Sequence, residues 1–423
     1  MLIPSHVREH IDQIVAALAK RNIDATSQLN LLLELDEKRR TTQAELDKIL
    51  ASANTIAKEI GHLFKSGAID DANQKKETSA TLKATAKALQ DKLQHVSDAL
   101  QEVLYQLPNI PHESVPKGNS EQDNEVVSEK GTIPNLENDA LPHWELAKKY
   151  NLIDFELGAK ISGAGFPVYT GKGAQLQRAL INYFLDFNTK SGYNEVQVPH
   201  LVNEASGLGT GQLPDKEGQM YHITEDDLYL IPTAEVPVTN IYRDCLLQEA
   251  ELPIKLTAYT PCFRREAGSY GSHVRGLNRL HQFDKVEIVR IEQPQHSYNA
   301  LDEMVAHVSK LLESLELPYR VLRLCGGDLG FTSALTFDFE VYSTAQKRWL
   351  EVSSVSNFES FQANRLKLRY KGKDGKKHLA HTLNGSSLAL PRILAGLLEN
   401  HQTSEGIHIP KVLVPYTKFD FIN

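Results

Sequence analysis

The chain has 423 residues, a formal charge of −8 at pH 7, and 41% hydrophobic and 24% charged residues. That length predicts two or three domains, and the ordinary apolar and charged balance predicts a globular fold. The acidic balance argues against global attraction to nucleic acid, and no run of 18 apolar residues offers a membrane helix. Cys245, Cys262 and Cys325 lie far apart, which argues against a zinc knuckle or a disulfide framework and suits a reducing cytoplasm.

The N-terminal "MLIPSHVREHIDQIVAALAK" is too polar and acidic for a signal peptide and has the spacing of a short amphipathic helix. Over residues 28–106 proline is absent and apolar residues recur at alternating steps of three and four. Leu46, Ile49, Ala53, Ile56, Ile60 and Leu63 form one seam, and Leu82, Ala86, Leu89, Leu93, Val96, Leu100 and Val103 form a second. These are coiled-coil seams, and the break "SGAIDDANQ" between them predicts a long antiparallel two-helix hairpin. Periodicity alone leaves open whether such a hairpin dimerises, spaces or binds. Over 28–107, eleven basic residues stand against twelve acidic ones, a solvated ion-paired surface. Residues 108–142, rich in Pro, Asn and acids, read as a linker.

From residue 143 onward the pattern is α+β. Helices are predicted at "AQLQRALINYFLDFNTKSG", "LDEMVAHVSKLLESLEL" and "SLALPRILAGLLENHQ". Strands are predicted at "NEVQVP", "DLYLIP", "IKLTAYTPCFR", "HQFDKVEIVRI", "YRVLRLC", "TFDFEVYS", "RWLEVSSV" and "HLAHTLNG". Because strands mostly follow strands, an antiparallel sheet with helices packed on it is expected, not a doubly wound parallel sheet.

Two of those strands enclose "FRREAGSYGSHVRGLNRLHQFDKVEI", a dense run of charge with three glycines. Period-two alternation puts Arg264 with Glu266 on one face, and Phe283, Lys285 and Glu287 on one face of the returning strand. That is a poor core and a good binding floor: a guanidinium fork suits phosphate, a ring stacks a flat base, and an acid receives an ammonium. Arg275 on the glycine-rich loop could close over a polyphosphate. "LEVSSVSNF" places Glu351 and Ser353 on one face with Ser354 beside them, an oxygen set suited to Mg²⁺. Arg392 enters on the first turns of an apolar helix just after Pro391, and "IPTAEVPV" fixes Thr233 and Glu235 in a rigid loop end. His281 is expected to be structural. "GFPVYTGKG" misses the spacing of a phosphate-binding P-loop and reads as a turn before a helix.

"CFRREAGSYGSHVRGLNRLHQFDKVE" resembles motif 2 of the class II aminoacyl-tRNA synthetases, in the form carried by seryl-tRNA synthetases. "GYNEVQVPHLVN" resembles motif 1, with Pro199 at a dimer interface, and "LNGSSLALPRILAGLLEN" resembles motif 3. "IPTAEVPVTN", "GAKISGAGFPVYTGKGAQLQRALINYFLD" and "PNIPHESVP" are also similar to that family, and the likeness spans essentially the whole chain.

The resemblance implies a class II α+β catalytic domain at 143–423, a tRNA-binding helical arm at 1–107 and a linker at 108–142. It implies attachment of L-serine to tRNA(Ser) through a seryl-adenylate, with ATP and Mg²⁺, by a cytoplasmic homodimer without membrane attachment. Charging of tRNA(Sec) stays open. Arg264 would bridge the α-phosphate and the serine carboxylate. Arg264, Arg265, Glu266, Arg275, Phe283, Glu351, Val352, Ser353, Ser354 and Arg392 would bind ATP, with Arg275 at the γ-phosphate and Phe283 and Arg392 on either side of adenine. Glu351 and Ser354 would hold Mg²⁺, with Arg264, Glu351 and Arg392 forming the catalytic set. Thr233, Ala234, Glu235, Arg264, Glu287, Asn384 and Ser386 would form the serine pocket. Lys38-Arg39-Arg40 and Lys75-Lys76 are the arm's basic spots. Tyr270 occupies a loop position often held by a small residue, and the segment after Glu351 lacks the cysteines many relatives carry, so a zinc-dependent branch is not expected. One rival is a related ligase that loads amino acids onto a carrier protein, but it would lack the arm. A class II enzyme for another amino acid would usually add an anticodon-binding domain after motif 3, and a coiled-coil scaffold would not need the charged site.

Overall fold

The computed structural model describes residues 1–136, 140–266 and 274–423. It divides into two compact units, Met1–Ala19 with Ile23–Pro108, and Lys20–Asn22 with Asn109–Asn423. The first unit is helical: α1 (Pro4–Leu18), α2 (Thr26–Lys65) and α3 (Ile69–Gln106). At 1.5 Å per residue the two long helices run about 60 and about 57 Å. Every residue of the two apolar seams is buried or half-buried, while Leu31, Leu50, Phe64 and Ile69 stay exposed. The turn is shorter than the expected break. It comprises only residues 66–68, with Gly67 at φ +80° and the Ala68 N–H bonded to the Leu63 carbonyl. Asp70 and Asp71 then sit in the first turn of α3, where acids favour the helix dipole.

The second unit is built on an eight-stranded sheet. In chain order its strands are β1 (Glu125–Lys130), β2 (Asn194–Glu195), β3 (Ile254–Phe263), β4 (Gln282–Glu292), β5 (Tyr319–Arg323), β6 (Leu335–Ser343), β7 (Arg348–Asn357) and β8 (His381–Ala389). Their spatial order is β1-β5-β6-β7-β8-β4-β3-β2. All neighbours are antiparallel except β2, which runs parallel to β3. Several helices of this unit surround the sheet. They are α4 (His143–Lys149), α5 (Gly171–Lys190), the short α6 (Glu235–Asn240), α7 (Ser297–Ser314) and α8 (Leu390–Asn400).

Register divides the sheet into two faces. Val286 and Ile288 of β4, Phe337, Phe339 and Val341 of β6 and Val355 of β7 share one, and α5, α7 and α8 bury it with Leu180, Phe184, Met304, Leu311, Ile393 and Leu397. The opposite face carries Phe283, Lys285, Glu287, Asp338, Glu340, Asn384 and Ser386. An apolar layer on one side of the strands thus leaves the other free for polar groups.

The structure corrects three sequence readings. Residues 108–142 are not a bare linker, because β1 pairs with β5 as the edge of the main sheet and Arg323 bonds Glu125 across it. Pro116 and Gly118 also accept backbone bonds from Gly326 and Gly327. The strand was hidden because charged residues dominate it, a usual composition for an edge. "HLAHTLNG" holds two strands in different sheets, Lys377–Leu379 and β8. The "IPTAEVPV" segment is no loop end: Glu235 opens α6.

Candidate active site

The polar face gathers most of the predicted residues. β3 and β4 pair in unbroken register from Ile254↔Ile291 to Phe263↔Gln282, so Phe283, Lys285 and Glu287 share a face as alternation requires. Just past the end of β3, the Arg264 backbone N–H bonds the His281 carbonyl. Its guanidinium lies 5.3 Å from the Phe283 ring centre and donates through Nε to the Pro232 carbonyl. The shared face expected for Arg264 and Glu266 does not follow from strand parity, since the strand has ended and Glu266 stands at φ +48°. Glu266 instead pairs with Arg279 at 3.2 Å, and its N–H donates to Gln219. Arg265 donates its N–H to the Gln219 carbonyl. Residues 267–273, Tyr270 among them, lie outside the described residues.

Beside this floor is a buried polar cluster. Lys285 Nζ lies 2.7 Å from the Glu287 carboxylate and donates to Thr233 Oγ1 at 2.8 Å. Thr233, Glu235, Lys285 and Glu287 are all buried, and so is Ala234. Gln362 donates to Glu235 Oε1 at 2.6 Å and accepts from Thr382. Burial, with Glu287 adding to it, pushes the Glu235 carboxyl up to about 7 against the pull of Gln362. Ser386 lies opposite Glu287 in the β4–β8 register, and Asn384 opposite Val289, so both face the pocket side. A buried cluster of two acids, a hydroxyl and a lysine has the groups to receive a zwitterion with a polar side chain.

On β7 the expected pairing of Glu351 with Ser353 is overturned. Phe339 pairs with Ser353 and Glu340 with Glu351, so Val352 is the extra residue of a β-bulge. Ser353 therefore turns to the core side, where it is buried and donates to the Ser386 carbonyl at 2.6 Å. Ser354 turns to the face of Glu351. It bonds Asp338, whose carboxyl burial and then Glu351 raise well above the usual carboxylate range. Asp338 Oδ1 is buried with no hydrogen-bond partner. Arg392 donates to the Glu351 and Asn278 carbonyls at 2.7 and 3.1 Å, and its Nη1 lies 3.4 Å from the Glu351 carboxylate. Its side chain is 28% exposed, half-open. Arg275 lies 4.9 Å from the Trp144 ring.

Lys285, Gln362, Thr382, Asp338 and Trp144 were not assigned to the site from sequence. Lys285 had a parity signal, since it alternates with Phe283 and Glu287. The others come from distant segments, and no local spacing points to them. His281 is structural: its ring stacks on Phe166 and its Nδ1 lies 2.8 Å from the Tyr221 hydroxyl. "GFPVYTGKG" is a two-residue strand, Val168–Tyr169, turning into α5.

The basic spots of the helical unit are ion-paired except at Lys76, which lies over the Phe64 ring at 4.6 Å. Lys38 bonds Glu34, Arg39 bonds Asp36 at 2.8 Å, Arg40 bonds Glu37, and Lys75 bonds Glu59. Arg8 of α1 also reaches the buried Asp36 at 2.7 Å.

Known proteins resemble this chain over essentially its whole length. The model of the tRNA synthetase class II core domain (G, H, P, S and T) matches residues 220–401, and that of the seryl-tRNA synthetase N-terminal domain matches residues 1–111. A serine–tRNA ligase of Salinibacter ruber is 50% identical, over 99% of this chain and 98% of its own. One from Chlorobaculum parvum is 45% identical over the whole of both. A crystal structure of the seryl-tRNA synthetase of Pyrococcus horikoshii complexed with ATP gives a TM-score of 0.91 at 32% identity, covering 100% of this chain and 99% of that one. The cytoplasmic serine–tRNA ligase of Naegleria fowleri in complex with AMP gives 0.84 at 28% identity, covering 99% and 96%.

Proposed function

The chain belongs to the seryl-tRNA synthetase family, and from that premise we propose how its residues divide the work of a class II serine–tRNA ligase. The reaction attaches L-serine to tRNA(Ser) in two steps. A serine carboxylate oxygen attacks the α-phosphorus of ATP, the bond to the bridging oxygen breaks, and pyrophosphate leaves. The terminal ribose hydroxyl of the tRNA then attacks the carbonyl carbon of seryl-adenylate, and AMP leaves. A carrier-loading ligase is not favoured, because the N-terminal arm matches the tRNA synthetase domain.

The observation that carries the assignment of roles is the single polar sheet face. It sets Arg264 and Phe283 beside the buried Thr233–Glu235–Lys285–Glu287 pocket. Phe283 stacks adenine. Arg264 gathers the α-phosphate and the serine carboxylate, holding nucleophile and electrophile in line and neutralising charge as it develops. Arg275 meets the γ-phosphate. Arg265 and Glu266 line the nucleotide loop, and Arg392 closes the adenine side. Glu235 and Glu287 receive the serine ammonium and hydroxyl, with Thr233, Ala234, Asn384 and Ser386 completing the walls. A site that hydrogen-bonds a hydroxyl rejects the analogue lacking it by roughly 10⁴ to 10⁵, which deals with alanine. Threonine's extra methyl meets closed walls.

The donor set fits Mg²⁺. Glu351 and Ser354 share a face, and the orphaned buried oxygen of Asp338 lies beneath them. Among the described residues no three His, Cys, Asp or Glu side chains gather as a metal site. A cation would therefore complete its shell with substrate phosphates and water. Bound there, it would offset the charge of the polyphosphate. Val352 and Ser353 act by shaping the bulge.

Residues 1–107 serve as the tRNA-binding arm, reading RNA by shape and backbone contact, and residues 143–423 as the catalytic domain. The enzyme works as a cytoplasmic homodimer with Pro199 at the interface. No described helix is long and apolar enough to cross a membrane. Charging of total bacterial tRNA with labelled serine, threonine and alanine tests the reading. Serine alone should charge, with serine-dependent pyrophosphate exchange, and absence of both would sink the roles around Arg264.

A further inference from the structure

A second buried constellation lies outside the substrate-binding groups. Glu399, in the last turn of α8, is fully buried and accepts from four donors. They are the His143 backbone N–H at 2.9 Å, His143 Nδ1 at 2.7 Å, Gln346 Nε2 at 3.0 Å and the Ser343 hydroxyl. The other ring nitrogen of His143, Nε2, accepts the backbone N–H of Leu277 at 2.8 Å. A nitrogen that accepts carries no proton, so these partners assign the proton to Nδ1 and make His143 a neutral bridge.

That bridge ends where the nucleotide arginines begin. Gly276, next to Leu277, stands at φ +70°, and a Cβ there would lie 2.3 Å from His143 Nε2. Only glycine lets the chain come so close to the imidazole. Arg275 precedes it and lies over Trp144, the neighbour of His143. Asn278 follows, donating to Gln346 Oε1 at 2.9 Å while its carbonyl accepts from Arg392 Nε. Arg392 sits two turns before Glu399 on the same helix. Arg392 is tied to the Glu399 carboxylate through Asn278 and Gln346, and Arg275 lies two residues before the Leu277 N–H that His143 holds.

We propose that the buried His143–Glu399 pair is the positioning centre of the nucleotide site, setting where Arg275 and Arg392 are presented to ATP. This rests on the nucleotide-binding roles proposed for those two arginines. Neither His143 nor Glu399 touches substrate. Removing the imidazole leaves the Leu277 N–H and the Glu399 carboxylate each short of a partner in a dry site, a large cost relative to an ordinary hydrogen bond. The 275–278 segment then lifts from α4, and Arg275 loses its place. ATP, which reaches Arg275 with its γ-phosphate, should feel this. Serine, in the Thr233–Glu235 pocket, should not.

The test compares the full-length wild type with His143→Ala, His143→Gln and Trp144→Leu. Serine-dependent pyrophosphate exchange is measured over separate ATP and serine ranges, with thermal shifts by ATP, AMP and serine. His143→Ala should raise the ATP KM about tenfold or more and leave the serine KM within about twofold. His143→Gln, whose amide offers one acceptor and one donor, should recover most of the loss. Trp144→Leu should weaken ATP but spare AMP, which has no γ-phosphate. A folded His143→Ala with a wild-type ATP KM, or with equal rises in both KM values, overturns the proposal. So does a Gln variant no better than Ala. If His143→Ala fails to fold, the Gln and Trp144 variants decide: wild-type ATP KM in Trp144→Leu, or a Gln variant with both KM values raised alike, overturns it. A wild type without serine-dependent exchange overturns the reading of the site itself, whereas normal wild-type exchange with unmoved variants overturns only the positioning role.

Discussion

Glu235 shows how burial sets the chemistry of one residue. Its carboxyl is pushed up to about 7, first by desolvation, while an unfolded glutamate titrates near 4.5. A raised folded value means the protonated form suits the empty fold. Stability from this group is fully present below about 4.5 and is lost as pH rises through about 7. With Glu235 receiving the serine ammonium, as proposed, substrate binding would have the opposite sign, because the ammonium needs the carboxylate. The serine KM should therefore fall between about pH 6 and pH 8 and level off above, and Glu235→Gln should weaken serine and flatten that profile. A serine KM that does not move across this range would remove Glu235 from ammonium binding. Arg264 is half-exposed at a strand end and supports little core. Arg264→Ala should lower exchange by roughly 10² or more, by analogy with removing one preorganised transition-state donor, with little change in melting temperature. Comparable losses of melting temperature and activity would point to a structural role. Sequence alone singled out both residues as candidates, since a charged side chain in an otherwise apolar segment is conspicuous. Asp338, Gln362 and Trp144 were not legible, because their meaning lies in partners more than a dozen positions away.

At the scale of elements, one inserted residue decides the character of β7. Alternation assumes unbroken pairing, and the bulge at Val352 breaks it. Ser353 and Ser354 thereby exchange faces, so their alanine variants should behave differently. Ser353→Ala removes a buried bond to the Ser386 carbonyl and should cost about 1 kcal/mol of stability, with unchanged Mg²⁺ dependence. Ser354→Ala should raise the Mg²⁺ concentration for half-maximal exchange, and it also removes a hydrogen bond from the buried Asp338, so some stability is lost as well. Titrations of exchange against Mg²⁺, run beside thermal melts, separate the two, and the reverse pattern would return Ser353 to the metal-facing side. The helical hairpin followed its sequence more closely, because each seam residue meets a neighbour one turn away on the same element. Strand β1 did not, because an edge strand is held by its partner β5 and needs little apolar content of its own.

For the whole molecule, the two units predict two separable activities. Replacing residues 28–106 by a short turn should abolish serine charging of tRNA while serine-dependent pyrophosphate exchange continues. Charging that survives the deletion would remove the hairpin from tRNA binding. The coiled-coil hairpin, the antiparallel α+β body and the type of chemistry were all written in the order of the residues. They rest on local periodicity, turn residues and side chains whose charge is out of place in a strand. Folding in three dimensions was needed to fix which face each serine of β7 takes, which distant residues gather around Glu235, and how His143 reaches Glu399. These depend on register and on contacts between segments far apart in sequence, and a one-residue slip in pairing reverses a face without any change in composition.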